Sequence, residues 1–209
     1  ARRSGAPRRA RAPVMNQKLE NPVKLLTAAS VLCLTLCANA AMAQQNLVPA
    51  QSEIVFVSKQ MGVPVEGRFR KFDAQISFDP AKPESSKIAF TVDLGSASLG
   101  VPEVDAELPK PVWFNVPKFP QANFSATAVR RVGPGKVEVQ GPLSIKGASQ
   151  VLLVPVQLSQ AGAVTTAVGS FTLKRLAFRI GDNEWADTSM LADDVQVRFK
   201  LTLSGVGKL

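Results

Sequence analysis

The feature that most constrains the fold of this chain is an alternation of apolar and polar residues with a period of two. It is clearest near the carboxyl end, where apolar residues alternate with polar ones at Val195, Val197, Phe199, Leu201 and Leu203. Successive side chains of a β-strand point to opposite faces, so this pattern predicts strands with one buried and one solvated face. No long segment shows the 3.6-residue period of an amphipathic helix. The pattern therefore indicates an all-β protein.

Similar alternation or β-rich composition predicts about eight strands, at 52–58, 72–78, 88–94, 122–128, 136–145, 151–158, 163–173 and 195–203. The connections at Gly133-Pro134-Gly135 and Lys146-Gly147 are short enough for hairpins, so neighbouring strands should be antiparallel. Eight such strands, each apolar on one face only, must close into a barrel or pack as a sandwich. A barrel of this size either fills with side chains or encloses one small ligand, which here should be apolar.

One long segment interrupts the strands. Residues 95–121 hold five prolines and no alternation, and a loop of this length in a compact domain is usually a lid or contains hidden structure. Its stretch Glu103 to Leu108 predicts a short helix. The segment also contains three aromatic residues, which are the predicted rim or gate residues: Trp113, Phe114 and Phe119.

The first forty-three residues have the order of a secretory signal peptide. A basic start after Met15 precedes an apolar run from Leu25 to Ala38, and Ala41-Met42-Ala43 forms an A-x-A cleavage site. The apolar run is shorter than the roughly 20 residues of a transmembrane helix. These features predict a signal peptide at 15–43, cleavage after Ala43, a periplasmic location, and a single mature domain at 44–209. The arginine-rich residues 1–14 are interpreted as a non-native upstream extension, with a nucleic-acid-binding arm as the alternative. For the apolar run, the alternative is an uncleaved anchor.

The net charge of +9 at first suggests an anionic partner. Residues 1–43 carry seven of the 25 basic and one of the 16 acidic residues, which leaves 18 basic and 15 acidic residues after cleavage. Such a surface is ordinary, so no nucleic-acid partner is predicted. Both cysteines, Cys33 and Cys37, also lie in the removed segment. The absence of histidine excludes a Ser-His-Asp triad and histidine metal ligands.

Three groups of charged residues allow two interpretations each. The acids Glu103, Asp105 and Glu107 suggest either a metal site or, preferably, a solvated face. The cluster of Asp182, Glu184, Asp187, Asp193 and Asp194 suggests either glycosidase carboxylates or, preferably, a polar loop. The basic pairs Arg130-Arg131 and Lys174-Arg175 suggest either contacts to an anionic head group at a barrel mouth or solvated strand ends. The sequence therefore predicts no catalytic residue and no metal site.

Several blocks, in order along 48–204, resemble the YceI-like family. They are Ser52-Glu53-Ile54-Val55-Phe56, Gly67-Arg68-Phe69, Phe72-Asp73-Ala74, Trp113-Phe114, Phe119-Pro120-Gln121-Ala122-Asn123-Phe124, Gly141-Pro142-Leu143-Ser144-Ile145-Lys146-Gly147 and Phe178-Arg179-Ile180-Gly181 with Trp185. The resemblance implies an exported, eight-stranded, lipocalin-like antiparallel barrel that binds a polyisoprenoid chain in its interior. The chain departs from many relatives at Lys59-Gln60-Met61, where a histidine is common.

The candidate ligand-binding residues are apolar. The resemblance implies inward positions on the matched blocks, at Phe69, Phe72, Phe124, Leu143, Phe178 and Trp185. Alternation and aromatic character add Ile76, Phe78, Phe90, Phe171 and Phe199. Gly141 and Gly147 are expected to serve strand and turn geometry instead of ligand contact.

These observations lead to the hypothesis of a periplasmic protein that transports, stores or sequesters an isoprenoid lipid, of the quinone-tail or polyprenyl phosphate type. The lipid is the expected partner, with transient membrane contact, and no cofactor or enzymatic activity is expected. The alternatives are an outer-membrane barrel with its apolar faces outward and a carboxylate-based hydrolase. The direction of the strand faces distinguishes the first alternative.

Overall fold

The computed structural model describes residues 45–209, and the predicted upstream extension and signal peptide lie outside these residues. The described residues form one curled antiparallel sheet of twelve strands. The strands are β1 (Asn46–Leu47), β2 (Glu53–Gln60), β3 (Val63–Phe69), β4 (Phe72–Ser77), β5 (Lys87–Asp93), β6 (Ala97–Ser98), β7 (Gln121–Ser125), β8 (Ala128–Gly133), β9 (Lys136–Ile145), β10 (Ala148–Ala161), β11 (Val164–Lys174) and β12 (Asp194–Ser204).

Helical structure is confined to short pieces. The α-helix α1 spans Pro102–Asp105, and single 3₁₀ turns span Pro49–Gln51, Pro83–Ser85, Leu94–Ser96, Arg175–Phe178 and Asn183–Trp185. The helix predicted at Glu103 to Leu108 instead begins at Pro102 and ends at Asp105. Pro102 occupies the first helical position, where its missing N–H costs nothing. Within residues 45–209, no helix combines the length and apolar character required to span a bilayer.

The chain itself connects the two ends of the curled sheet. The hydrogen-bonded order is β4-β5-β7-β9-β10-β11-β12-β2-β3-β6, with β1 beside β12 and β8 beside β9. Strands β3 and β4 belong to opposite ends of this order, yet only Arg70 and Lys71 separate them. The Arg70 and Asp93 backbone N–H groups donate to the Ser96 and Lys71 carbonyls and anchor this bend. The sheet therefore surrounds an interior.

The predicted all-β, lipocalin-like antiparallel class is confirmed, but the strand number of eight is wrong. All eight predicted strands are present, and β1, β3, β6 and β8 are additional. The alternation in β3 is interrupted by Pro64 and Gly67, and β1 and β6 have only two residues each. The predicted strand 122–128 ends early at Ser125, and Ala128 begins β8 instead. Strands β7 and β8 pair with successive parts of β9.

Gly141 makes the bend between β7 and β8 possible. A Cβ at this position would lie 2.1 Å from the carbonyl oxygen of Ser125, so the two backbones approach more closely than any other residue allows. We expect Gly141→Ala to lower the free energy of unfolding by about 1–3 kcal/mol, since backbone must shift to relieve the clash. Gly133→Ala is the matched control, because its nearest neighbour would be at 3.8 Å. Equal urea midpoints for the two variants would contradict this role of Gly141.

The apolar faces of the strands point toward the interior that the curled sheet surrounds. On β12, Val197, Leu201 and Leu203 are buried at 8%, 5% and 5% exposure, whereas Arg198 on the other face pairs with Glu66 near water. The outer-membrane alternative requires the opposite arrangement, with apolar side chains outward and polar ones inward. The strand faces thus favour a protein that keeps its apolar surface inside.

Candidate functional site

The curled sheet encloses a cavity of about 740 Å³. This volume lies within the range of roughly 300–1,000 Å³ that is typical of ligand pockets. Of its 44 lining residues only seven are polar or charged, namely Ser58, Gln60, Glu103, Glu107, Thr165, Arg175 and Glu184. The other residues have aliphatic or aromatic side chains, most from the inward faces of the strands and the rest mainly from the segments 94–114 and 180–191. Such a wall suits an apolar ligand and offers little to a sugar or nucleotide.

The exposure of the lining residues identifies the mouth of the cavity. The lining residues that are exposed to water are Gln60, Glu103, Val104, Glu107 and Glu184. They come from the end of β2, from α1 and the turn after it, and from the 3₁₀ turn at Asn183–Trp185. At the other end, Thr165 is fully buried and Leu203 is 5% exposed. The cavity therefore opens on one side, between these three segments.

Most predicted site residues line this cavity. Nine of the eleven predicted wall residues do so: Phe69, Ile76, Phe78, Phe90, Phe124, Leu143, Phe171, Trp185 and Phe199. The predicted gate residues Trp113 and Phe114 also line it, and the rings of Trp113 and Trp185 meet at 5.5 Å between centroids. Contact of these side chains with a ligand stays a prediction.

Three predicted site residues lie away from the cavity. Phe72 directly follows the β3–β4 bend and borders an outer groove with Arg68 and Lys71. Phe178, the last residue of the 3₁₀ turn Arg175–Phe178, is 1% exposed and packs in the hydrophobic core. The Phe119 ring would be 3.0 Å from a Cβ on Gly147 and therefore covers the β9–β10 turn. None of the three lines the cavity, and contact of these side chains with a ligand stays a prediction.

Arg175 is buried beneath the mouth and holds the segment that forms one side of it. Its Nε donates to the Ala192 carbonyl at 3.0 Å, and its two terminal nitrogens donate to carbonyls of Ile180, Gly181, Trp185 and Leu191 at 2.5–2.9 Å. These bonds use all five guanidinium N–H donors. Burial lowers the pKa of Arg175, and nearby Asp193 partly opposes this change. The side chain therefore organises backbone from 180 to 192.

Arg175 is not a solvated strand end, because it is 2% exposed, and its five N–H donors are already used by backbone carbonyls. Lys174 does lie in water, where its Nζ pairs with Asp194 at 2.6 Å. Arg130 pairs with Glu138 at 2.6 Å, and Arg131 donates to the Pro80 carbonyl. None of these three residues lines the cavity.

The segment 95–121 contains the hidden structure that its length predicted. Leu108 and Phe114 are buried and line the cavity. Asp105, at the end of α1, accepts hydrogen bonds from Ser98 Oγ and the Leu99 N–H, both at 2.6 Å. These bonds tie α1 to β6 and thereby fix one side of the mouth. The hydrogen bond from the Ser98 hydroxyl lowers the pKa of Asp105 most, and the bond from the Leu99 N–H lowers it further.

The Asp105 carboxylate predicts a pH dependence of stability. Because its pKa is lower in the folded than in the unfolded protein, its contribution is present above the unfolded value near 3.8. That contribution is lost as the pH falls through the lower folded value. We expect wild type to exceed Asp105→Asn in urea stability at pH 6, and the difference to shrink below about pH 4. A difference in urea stability that stays constant down to pH 2 would contradict this prediction. Glu84→Gln is the control for the loss of one exposed carboxylate.

Three of the five acids that suggested a hydrolase have local structural contacts. Asp193 accepts from the Leu176 N–H at 3.0 Å, and Asp194 pairs with Lys174. Asp187 accepts from the Ser189 N–H and hydroxyl at 2.8 and 2.7 Å, which lowers its pKa. Residues 45–209 contain no group of three or more acidic side chains arranged to hold a metal ion. These contacts favour the polar-loop interpretation of the cluster.

Sequence analysis missed two features of the site. Ser58 and Gln60 continue the inward face of β2 after Ile54 and Phe56, and all four line the cavity. The period of two contained this signal, but polar side chains on an apolar face were not recognised as wall residues. The role of Arg175 had no such signal, because its partners are backbone carbonyls of a later segment.

Comparison with known proteins agrees with this architecture. The sequence model of the family described as the YceI-like domain matches residues 46–203. A UPF0312 protein of Pseudomonas syringae pv. tomato is 31% identical over 145 residues, which covers 66% of this chain and 74% of that protein. The crystal structure of BcnA from Burkholderia cenocepacia is 41% identical, with a TM-score of 0.73 over 75% of this chain and 99% of that one.

A structure described as a polyisoprenoid binding domain from Saccharophagus degradans, implicated in plant cell wall breakdown, has a TM-score of 0.64. It is 16% identical and covers 78% of this chain and 98% of that one, so the likeness is one of fold. The family match, by contrast, includes every strand from β1 to β11 and nearly all of β12. The chain therefore belongs to the YceI-like family.

Proposed function

We propose that this protein binds a polyisoprenoid lipid, with the chain buried in the cavity, for transport, storage or sequestration. The observation that carries the proposal is a one-sided cavity of about 740 Å³ whose wall is apolar except for seven residues. Transfer of apolar chain from water is favourable by about 0.8 kcal/mol per methylene. A long prenyl tail therefore binds tightly through burial alone. The polyisoprenoid-binding description of the structurally similar Saccharophagus protein supports this choice of ligand.

Lipid extraction tests the proposed ligand. The protein is purified without detergent, extracted with organic solvent, and the extract is analysed by mass spectrometry beside a similarly purified protein without a cavity. We expect an isoprenoid lipid only in the first extract, or stoichiometric uptake of an added polyprenol. Absence of both results would overturn the proposal.

We further propose export to the periplasm through the signal peptide at 15–43. The ordered basic, apolar and A-x-A features support this location. Osmotic shock should release the protein, and its amino-terminal sequence should begin at Gln44. Retention in the cytoplasm with an unprocessed amino terminus would contradict the proposed export.

Transient membrane contact is proposed for the mouth. Met61 and Val63, at the tip of the β2–β3 hairpin, are 64% and 63% exposed, and Val104 on α1 is 42% exposed. Met190 is 45% exposed, and its carbonyl accepts from the Met61 N–H at 2.8 Å. Exposed apolar groups beside a lipid cavity suit contact with a bilayer.

Vesicle sedimentation tests this contact. Replacement of Met61 and Val63 with serine should reduce the fraction of protein that sediments with phosphatidylcholine vesicles. Val151→Ser is the control, since Val151 is 65% exposed on the outer face of β10. An equal reduction in both variants would contradict a role specific to the mouth.

A further inference from the structure

The inward face of β2 changes from apolar to polar toward the mouth. Ile54 and Phe56 lie deeper, Ser58 follows, and Gln60 is exposed at the opening. The Ser58 hydroxyl oxygen is shielded from solvent and has no hydrogen-bond partner among the described residues. A buried hydroxyl without a partner is costly and uncommon in folded proteins. Ser58 also lines the cavity, so rotation about its Cα–Cβ bond would turn the hydroxyl toward a bound molecule that satisfies it.

The charges around the mouth are unfavourable for an anion. Glu103, Glu107 and Glu184 line the cavity, and Glu107 pairs with Lys110 at 2.5 Å. The only basic residue among those that line this cavity is Arg175, and backbone carbonyls already accept from all five of its N–H groups. A phosphate at the mouth would therefore meet carboxylates and find no available guanidinium donor.

We propose that Ser58 and Gln60 form a head-group subsite for an uncharged hydrogen-bonding group, a hydroxyl or carbonyl, and that the mouth discriminates against phosphate. This inference rests on the proposed function, because the prenyl tail occupies the deeper cavity. The Ser58 hydroxyl donates to or accepts from the head, and the Gln60 amide supplies a second polar group nearer water. The preferred ligand class is then a polyprenol or prenylated quinone instead of a polyprenyl phosphate.

Three lipids with the same prenyl chain test the subsite: a polyprenol, its monophosphate, and the hydrocarbon without a head. Dissociation constants are measured for the purified protein. We expect the polyprenol to bind about tenfold more tightly than the monophosphate, since like charges repel at the mouth. Tighter or equal binding of the monophosphate by the wild-type protein would overturn the discrimination against phosphate.

Single substitutions locate the effect. Ser58→Ala should weaken polyprenol binding about fivefold while hydrocarbon binding stays constant, because one hydrogen bond is lost. Gln60→Leu, at an exposed position, should likewise weaken polyprenol binding relative to hydrocarbon binding, so that the two dissociation constants become more similar. Ser170→Ala is the matched control on the outward face of β11, where Ser170 is exposed. Equal weakening of both lipids by Ser58→Ala would overturn the subsite.

Removing the acidic charges gives an independent measurement. The double variant Glu103→Gln with Glu184→Gln should raise the affinity for monophosphate relative to polyprenol, and Glu84→Gln, away from the mouth, should leave this ratio unchanged. An unchanged ratio in the double variant would overturn the electrostatic part. Failure of all three lipids to bind wild type would instead overturn the proposed function, and the subsite with it.

Discussion

Replacement of Arg175 with methionine is expected to lower the free energy of unfolding by about 3–5 kcal/mol, because it removes a buried charge-assisted hydrogen-bond network. The five carbonyls that accept from Arg175 belong to Ile180, Gly181, Trp185, Leu191 and Ala192. Methionine fills a similar volume but donates to none of them. Buried carbonyls without partners are costly, so the segment 180–192 should lose its fixed shape.

Urea unfolding followed by tryptophan fluorescence measures this loss, since Trp185 lies in the affected segment and its ring contacts that of Trp113. Arg175→Lys keeps the positive charge with fewer donors and should fall between methionine and wild type. Arg198→Met is the surface control; Arg198 pairs with Glu66 at 50% exposure, and such pairs contribute about 0–1 kcal/mol. A loss in Arg175→Met no larger than in Arg198→Met would show that the network does not stabilise the fold.

Replacement of Ala167 with phenylalanine is expected to weaken binding of a long polyprenol by more than about tenfold. Ala167 is 6% exposed, lines the cavity, and lies opposite Leu158 on β10 and Leu201 on β12. All three side chains face the interior, so a phenyl ring here would occupy space that the prenyl tail needs. Because the ring enters empty volume, the stability of the unliganded protein should change little.

Val168→Phe is a closely matched control. Val168 is the next residue on β11, is 47% exposed, and points to the opposite face. It adds an aromatic ring to the same strand without entering the cavity. Titration with polyprenol should show wild-type affinity for this variant, and thermal unfolding should show that both variants are folded. Equal affinities of the Ala167 and Val168 variants would contradict burial of the ligand beside β11.

Strands with one solvated face were predictable from sequence because burial imposes a period of two on their residues. This argument found β12 and β9 within a residue or two of their observed bounds. It missed β3, where Gly67 stands on the inward side because the Phe56 ring lies against it; a Cβ there would be 2.2 Å from Phe56 Cζ. A requirement set by a neighbouring strand leaves no signal in the local pattern.

The candidate site was predictable only in part, for a related reason. Apolar character in a matched block or an alternating strand does not separate a fully buried side chain from one that lines a cavity, so Phe178 and Phe171 both entered the predicted wall. Arg175 looked like a solvated residue beside Lys174, because burial of its charge depends on carbonyls contributed by residues 180–192. Such long-range satisfaction of a polar group is visible only in three dimensions.

The place of β12 in the sheet has a consequence for when a ligand is acquired. β12 pairs with β11 on one side and with β2 on the other, so residues far apart in sequence must meet before the wall is continuous. Pairings of this range form slowly, because the closure entropy of the intervening chain must first be overcome. While β12 is unpaired, no enclosed apolar volume exists to retain a lipid. If the protein binds a lipid as proposed, pairing of β12 with β2 would therefore precede retention of that lipid.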